Sequence, residues 1–358
     1  MKIIQVMPHF GLGGAEIMCE NLVYQLEKLG HEVIVVSLYN KETAITKRFA
    51  EAGVDLRFLD KKAGFDFSIY KKLRKLFEQE KPDVIHTHIH TTQYVFPIAK
   101  KMKIKVVHTV HSVAQNELPK KIRIFNKYFY KKNKATPVAL SGNVNKTIQD
   151  VYKLKEESIP TVFNGIDLSK CRTKDDYSKK GNFKIVHVGS FQELKNHIGL
   201  IDAFEIFHQK NPQSELHIIG DGQRRCVIEE LVREKNLQDH VIFYGFQSNV
   251  HEFLHEMDVF TLPSFYEGIP MSIIEAMGTA LPIVATNVGG IPDMLTNDEN
   301  AILTNVDSGE IADAFLKLSN DEALRERLGK NAYARSFVFS SEEMAKKYVE
   351  IYKGEHRC

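Results

Sequence analysis

Two glutamates stand eight positions apart in FYEGIPMSIIEAMG, residues 265–278, with Gly268 and Pro270 between them. A glycine and a proline so closely spaced do not both fit inside a helix. Glu267 is therefore expected in a loop, while Pro270 or its neighbour opens a helix that carries Glu275 in its first turns. The two carboxylates then do not share one helical face. Glu267 stands beside backbone amides without intrahelical partners, which can grip a phosphate, and Glu275 lies further in, able to accept hydrogen bonds from a ribose diol. The rival chemistry is a pair of carboxylates flanking one glycosidic bond, which needs one of them protonated. A glutamate set into an apolar helix fits that poorly.

Other residues point to anion chemistry. HVGSFQELKNH ends a strand at Gly189 and brings Lys195 to the start of a helix, where an ammonium adds charge to the direction supplied by backbone amides. HFGLGGAE, residues 9–16, lies between the first strand and the first helix, and Gly13 and Gly14 would let a phosphate approach the backbone. A plain strand-to-helix turn is the competing reading of that segment. The dinucleotide fingerprint fails here, because Glu16 stands where a small residue is needed and the second strand ends without the acid that holds a ribose. No nicotinamide cofactor is expected. Histidines recur at strand ends: His86, His88 and His90 in IHTHIH, then His108 and His111 in HTVHS. At the carboxyl ends of parallel strands they would face a ligand crevice and suit hydrogen bonds to hydroxyls; the competing reading is histidines satisfied within the fold. A zinc site lacks a nearby carboxylate or Cys, so no metal is expected.

These residues sit on a regular alternation. Short β-branched runs (KIIQVMP, HEVIVVSLY, DVIHTH, KVVHTVH, TPVALS, PTVFNG) alternate with amphipathic stretches near residues 15–29 and 68–80. The pattern restarts after Gly181 with FKIVHVGS, ELHIIGDG, VIFYG, DVFTLPS and PIVAT, and helices are expected near 197–209, 224–235 and from Ile273. Parallel strands need such helical crossovers, so the chain is read as two α/β domains, in keeping with its 358 residues. The polar stretch IDLSKCRTKDDYSKKGN reads as a linker, and SSEEMAKKYVEIYKG, with Ser340 and Glu343 at capping-box spacing, as a last helix. Cys19, Cys171, Cys226 and Cys358 are scattered and read as free thiols of a reducing compartment. The start MKIIQVMPHF enters a strand directly, without the zones of a signal peptide, and no apolar run is long enough to span a bilayer. A cytoplasmic protein is expected.

EGIPMSIIEA, an E-x7-E motif, is joined in order by GGAE, PDVIHTH, VVHTVH, VFNGID, VGSFQELKN, IIGDG, VIFYG and VGGIPDML. The ordered set closely resembles the retaining glycosyltransferases of family 4, over nearly the whole chain. The resemblance implies the GT-B fold, two Rossmann-like parallel-sheet domains facing a central cleft. It implies an acceptor-binding domain of residues 1–165 completed by a returning helix in 340–358, and a donor-binding domain of residues 166–339. The implied donor is a nucleotide-diphosphate sugar, with uridine as the base by family habit. Glu275 resembles the ribose ligand, Glu267 the contact to the donor hexose, Lys195 the pyrophosphate cation, and His111 the histidine near the transferred sugar. The implied donor site also takes in Gly13, Gly14, Gly189, Ser190, Phe246, Gly268, Ile269, Pro270 and Met271, with YGFQ, residues 244–247, near the base. His111, Glu267 and Lys195 form the implied catalytic set, and transfer proceeds with retention, with no metal and no cofactor besides the donor. The chain departs from the family pattern at Ser190, where an Arg is usual, so Arg224 or Arg225 is left to supply the second cation.

The net charge of +2 conceals an asymmetry. Residues 1–165 hold 27 basic and 16 acidic residues, a net of +11, and the remainder hold 21 and 30, a net of −9. In the basic half LPKKIRIFNKYFYKKNK, residues 118–134, mixes seven cations with four aromatics and no acid. An anionic membrane surface, near a lipid-linked acceptor, is the partner expected for it; the competing reading is a solvated helix whose aromatics pack on the core. No nucleic-acid motif accompanies it. The function expected is transfer of a hexose to a glycan or lipid-linked acceptor in surface polysaccharide synthesis. The alternatives are an epimerase or phosphorylase on the same fold, or a non-catalytic nucleotide-sugar binding protein.

Overall fold

The computed structural model describes residues 1–11, 13–247 and 249–355. It divides into two compact units, Met1–Gly165 with Ser341–Cys358, and Ile166–Ser340. Cys358 lies outside the described residues; Cys19, Cys171 and Cys226 are free thiols.

Unit 1 is a parallel six-stranded sheet of β1 (Lys2–Met7), β2 (Glu32–Ser37), β3 (Asp55–Phe58), β4 (Val84–His88), β5 (Lys105–Val110) and β6 (Thr136–Ala139), in the order β3-β2-β1-β4-β5-β6. Both faces are covered, which is why its strands are apolar nearly throughout. One face packs under the helices Ser68–Glu80, Thr92–Met102, Lys120–Lys131 and Gly142–Tyr152. The other carries Met18, Leu22 and Leu26 of the helix Gly14–Lys28, together with Met344, Tyr348, Ile351 and Tyr352 of the last helix, Ser341–Lys353. Strand residues alternate between the faces with period two. Ile4, Val6 and Ile85 go to the first face, whereas Ile3, Met7 and Val84 go to the second.

Unit 2 repeats the plan with β7 (Phe183–Val188), β8 (Ser214–Ile219), β9 (Val241–Gly245), β10 (Val259–Leu262), β11 (Ile283–Thr286) and β12 (Ile302–Thr304), in the order β12-β11-β10-β7-β8-β9, again all parallel. Two doubly wound sheets are the fold the sequence implied. In each, the first strand sits inside the sheet. The chain winds outward on one side of it and then returns to add strands on the other, which creates a topological switch point beside β1 and beside β7.

Three expectations are corrected. PTVFNG forms no strand: Thr161 makes a single parallel bridge to Ala139. The sheet's third strand is instead Asp55–Phe58, an edge strand too short to announce itself. The segment read as a loose linker is bound to unit 2: Tyr177 is buried, its hydroxyl donates to the Ala280 carbonyl (2.8 Å), and its own carbonyl accepts from the Arg325 guanidinium (2.6 Å). Its polarity disguised a set of tertiary hydrogen bonds.

The helix Lys120–Lys131 is strongly amphipathic. Phe129 and Tyr130 are buried and Phe125 packs against the same core, so three of the aromatics expected at a membrane serve the fold. Ile124 (63% exposed) and Tyr128 (47%) remain outward, with the Lys100 ammonium 4.9 Å from the Tyr128 ring centre and 2.9 Å from its hydroxyl. Among the described residues no helix is long and apolar enough to cross a membrane.

Candidate active site

In unit 2 the switch point lies between β7 and β10, which are neighbours in the sheet. The loop after β7 runs through Gly189 and Ser190 to a 3₁₀ turn, Glu193–Lys195, and then into the helix His197–Lys210. The loop after β10 runs through Ser264 to Pro270, and Met271–Gly278 is helical, with Pro270 at its N-cap in extended conformation. Pro270 has no N–H to lose there, so the helix start follows from the sequence. Glu267 is accordingly in the loop and Glu275 in the helix, in the second turn.

Side chains stitch the two loops together. Asn196 caps its own helix, its Oδ1 accepting from the Gly199 N–H (3.1 Å), while its Nδ2 donates to the Pro263 carbonyl (3.0 Å). The Phe265 N–H donates to the Leu194 carbonyl (2.8 Å). Two glycines permit the close backbone contacts behind these loops. Gly220, at φ +139°, lies where a Cβ would collide with the Gly189 carbonyl, and Gly289, at φ +58°, where it would collide with that of Glu267.

The result is a tight polar cluster. Lys195 Nζ donates to Glu267 Oε1 at 2.6 Å, and Ser264 Oγ donates to the same oxygen at 2.6 Å. Glu267 is buried, and Lys195 is mostly covered. The sequence assigned these two residues separate roles; a direct pair across 72 positions carries no local signal. Ser264 was missed altogether, although it directly precedes FYEG. An ammonium has three N–H groups, so engaging Glu267 leaves Lys195 able to serve a further acceptor. A pocket of about 190 Å³ opens beside the cluster, lined in part by Asn196, His197, Arg224 and Phe265.

Glu275 is half-buried, with Cys171 close by, and burial pushes its carboxyl up to about 7. No described residue donates to its carboxylate. Ile269 is buried and Met271 half-buried, while Phe246 is 61% exposed. Nearby, the Tyr244 hydroxyl meets His217 Nδ1 at 2.9 Å. Of the two arginines considered as substitutes at Ser190, Arg225 is committed to Glu229 (2.7 Å) and Asp221 (3.5 Å). Arg224, loosely paired with Glu193 at 3.5 Å, borders the pocket.

In unit 1 the switch point lies beside β1. Gly13 is the N-cap of the helix that begins at Gly14, and the Glu16 carboxylate sits against Gly13, occupying the positive end of that helix. The histidines depart from expectation. His86, His88 and His108 are fully buried and do not face a crevice; His90 is exposed and His111 partly buried. The reason is the pleat. Alternation in IHTHIH puts His86 and His88 on the face covered by the last helix, where each ring nitrogen finds a partner. His108 points to the opposite face, with its Nδ1 3.0 Å from the Thr87 carbonyl. His111, just past β5, is anchored by its own N–H to Glu117 Oε1 (2.9 Å) and by its Nε2 to His88 Nδ1 (2.9 Å). Burial, reinforced by His108, lowers its pKa to about 3, so the ring is neutral in ordinary buffers.

Two doubly wound sheets, each with loops gathered at its switch point, define an α/β protein built to hold ligands at strand carboxyl ends. Residues 12–170 match Glycosyltransferase Family 4, and residues 172–335 match Glycosyl transferases group 1. Between them the two matches span most of the chain, and the protein belongs with the glycosyltransferases whose two domains they describe. It is 27% identical over 360 residues to N-acetyl-alpha-D-glucosaminyl L-malate synthase of Bacillus anthracis, covering 95% of this chain and 94% of that protein. It is 28% identical over 272 residues, 70% of each chain, to the UDP-Gal:alpha-D-GlcNAc-diphosphoundecaprenol alpha-1,3-galactosyltransferase of Escherichia coli. Among solved structures it resembles Anabaena Alr3699/HepE in complex with UDP and glucose, with a TM-score of 0.83, 18% identity and 99% of both chains covered. That last likeness establishes the GT-B fold.

Proposed function

We propose that this glycosyltransferase moves a hexose from a UDP-sugar to a hydroxyl of a glycan or lipid-linked acceptor, with retention and without a divalent metal, in the building of a surface polysaccharide. Unit 2 takes the donor in this reading, and unit 1 takes the acceptor and presents His111. The observation that carries it is the Lys195–Glu267 pair at the unit 2 switch point, where a cation and a carboxylate stand side by side at the N-terminal end of a helix. Two similar proteins add support: one is a galactosyltransferase acting from UDP-Gal on alpha-D-GlcNAc-diphosphoundecaprenol, and a structural neighbour holds UDP and glucose.

The chemistry follows from the charges. The bond between the anomeric carbon and the diphosphate oxygen breaks, the acceptor oxygen bonds the same carbon on the same face, and the acceptor proton passes to the departing phosphate oxygen. The remaining N–H groups of Lys195 and the amides at the start of the His197–Lys210 helix oppose the charge growing on the diphosphate. Glu267, its lone pairs only partly used by Lys195 and Ser264, accepts from hexose hydroxyls. Glu275 accepts from the ribose diol.

Labelled UDP-sugars supplied alone and then with a lipid-linked acceptor test the reading. Transfer with the donor's anomeric configuration kept, undiminished by EDTA, is expected; an isomerised nucleotide sugar, loss of activity in EDTA, or silence would each replace it. Attachment to an anionic membrane through the outward side of Lys120–Lys131 belongs to the same proposal, favoured by exposed Ile124 and Tyr128 among the lysines. Flotation with anionic liposomes at low salt should carry the protein upward, and reversing charge at Lys120, Lys121 and Arg123 should abolish this. Indifference to that reversal would remove the membrane from the proposal.

A further inference from the structure

A lane of polar side chains runs through the apolar face of unit 1 that the last helix covers. It starts at His111, whose Nε2 is 2.9 Å from His88 Nδ1. His88 Nε2 is 2.9 Å from Gln5 Oε1, and Gln5 Nε2 donates to the Tyr352 hydroxyl at 3.3 Å. Tyr352 lies 2.7 Å from His86 Nδ1, His86 Nε2 lies 2.8 Å from Thr109 Oγ1, and Thr109 meets the Tyr348 hydroxyl at 2.7 Å. Except for partly buried His111, every member is fully buried or nearly so. Six polar side chains here interrupt what would otherwise be a continuous apolar contact. Such a lane is tolerated only because its members satisfy one another, and it is then stiff and directional.

These hydrogen bonds have a direction between Gln5 and His111. An amide oxygen only accepts, so His88 must carry its proton on Nε2. Burial holds His86 and His88 well below the usual histidine range, and both rings are neutral, with one N–H and one lone pair each. His88 Nδ1 is therefore a lone pair, and His111 must donate to it from Nε2. That leaves the lone pair of His111 on Nδ1, which no described residue engages. On the other side Tyr352 accepts from Gln5 and meets His86 Nδ1, where either the phenol or the ring can be the donor, and Thr109 takes the complementary role at His86 Nε2. One orientation of Gln5 sets the proton positions of His88 and His111.

We infer that Gln5 and Tyr352 are positioning residues for His111: through His88 they hold its ring in the Nε2–H tautomer, so that Nδ1 is offered outward as an acceptor for a substrate hydroxyl. The last helix, far from His111 in sequence, thereby becomes part of the machinery. The consequence for specificity is direct: a hydroxyl can donate to that nitrogen, whereas a carbonyl, ether or fluorine at the same place cannot. This rests on the reading of His111 as a residue at the transferred sugar.

Long-range proton–nitrogen NMR of the full chain with nitrogen-labelled histidine reads the tautomer directly, the His111 signals being assigned by their loss in His111→Asn. The expected result is a proton on Nε2 and none on Nδ1. Tyr352→Phe, which deletes one hydroxyl, and Gln5→Met, which deletes the amide, should mix the two tautomers, and turnover should fall roughly tenfold in Gln5→Met with donor affinity unchanged. A purely structural role would lower the melting temperature and leave tautomer and turnover alone. A proton found on Nδ1 in the unmodified protein, or ring signals indifferent to both substitutions, overturns the inference. Tautomers that mix while turnover holds would leave the wiring standing and refute the placement of His111 at the sugar.

Discussion

The Lys195–Glu267 pair is the smallest unit on which the proposed chemistry depends. Lys195→Met should keep the fold, because Ser264 still donates to Glu267, but lower turnover by roughly 2–4 kcal/mol in the transition state, read as kcat/KM with a UDP-sugar. His111→Ala should cut kcat while the donor dissociation constant measured by calorimetry stays near its original value. Glu275 allows a test with a definite sign. Burial raises its carboxyl from the ordinary 4.5 to about 7, so the folded chain favours the protonated form. Its contribution to stability is complete below the ordinary value and is lost as pH rises through 7. Glu275→Gln should therefore match the parent near pH 4 and exceed it at pH 8 by roughly 1–3 kcal/mol, measured by urea unfolding. Hydroxyls of a bound ribose would favour the carboxylate, so nucleotide binding near pH 7 should release a proton. Calorimetry in two buffers of different ionisation enthalpy detects that, and Glu275→Gln should abolish it.

At the scale of elements, the site is held by backbone contact between loops that only glycine allows. Gly289→Ala imposes a side chain at φ +58° and drives it into the Glu267 carbonyl. It should destabilise unit 2 by at least about 1–3 kcal/mol and weaken donor binding together with stability. A thermal-shift series with UDP-sugars checks both. The helix Lys120–Lys131 offers the opposite contrast. Phe129→Ala removes a buried ring and should cost roughly 3–5 kcal/mol, whereas Ile124→Ser, on the exposed side, should change stability little. Its basic and aromatic composition was legible in the sequence, but which ring turns inward depends on the sheet beneath it.

For the whole molecule, the last helix is the decisive element. Ser341–Lys353 supplies Met344, Ala345, Tyr348, Ile351 and Tyr352 to one face of the unit 1 sheet, while unit 2 is continuous from Ile166 to Ser340. A chain ended at Ser340 should lose the cooperative unfolding of unit 1, since burial of those side chains amounts to much of a domain's net stability. Unit 2 should still melt as a unit. Scanning calorimetry with limited proteolysis distinguishes this from loss of both transitions. A capping-box spacing announced that helix in the sequence, yet nothing local said which sheet face it would cover.

Strand alternation marked out two α/β halves, though not the short strands β3 and β12, and the Gly268–Pro270 pair set Glu267 in a loop and Glu275 in a helix, because both signals act within a few residues. Neither signal determined partners. The pairing of Lys195 with Glu267, the anchoring of Tyr177, and the burial of His86 and His88 beneath Tyr348 and Tyr352 join residues tens to hundreds of positions apart. Such contacts exist only after strands take their order and their pleat assigns each side chain a face. A histidine at a strand end reads the same whether that face is open or covered, and only the packed chain decides which it is.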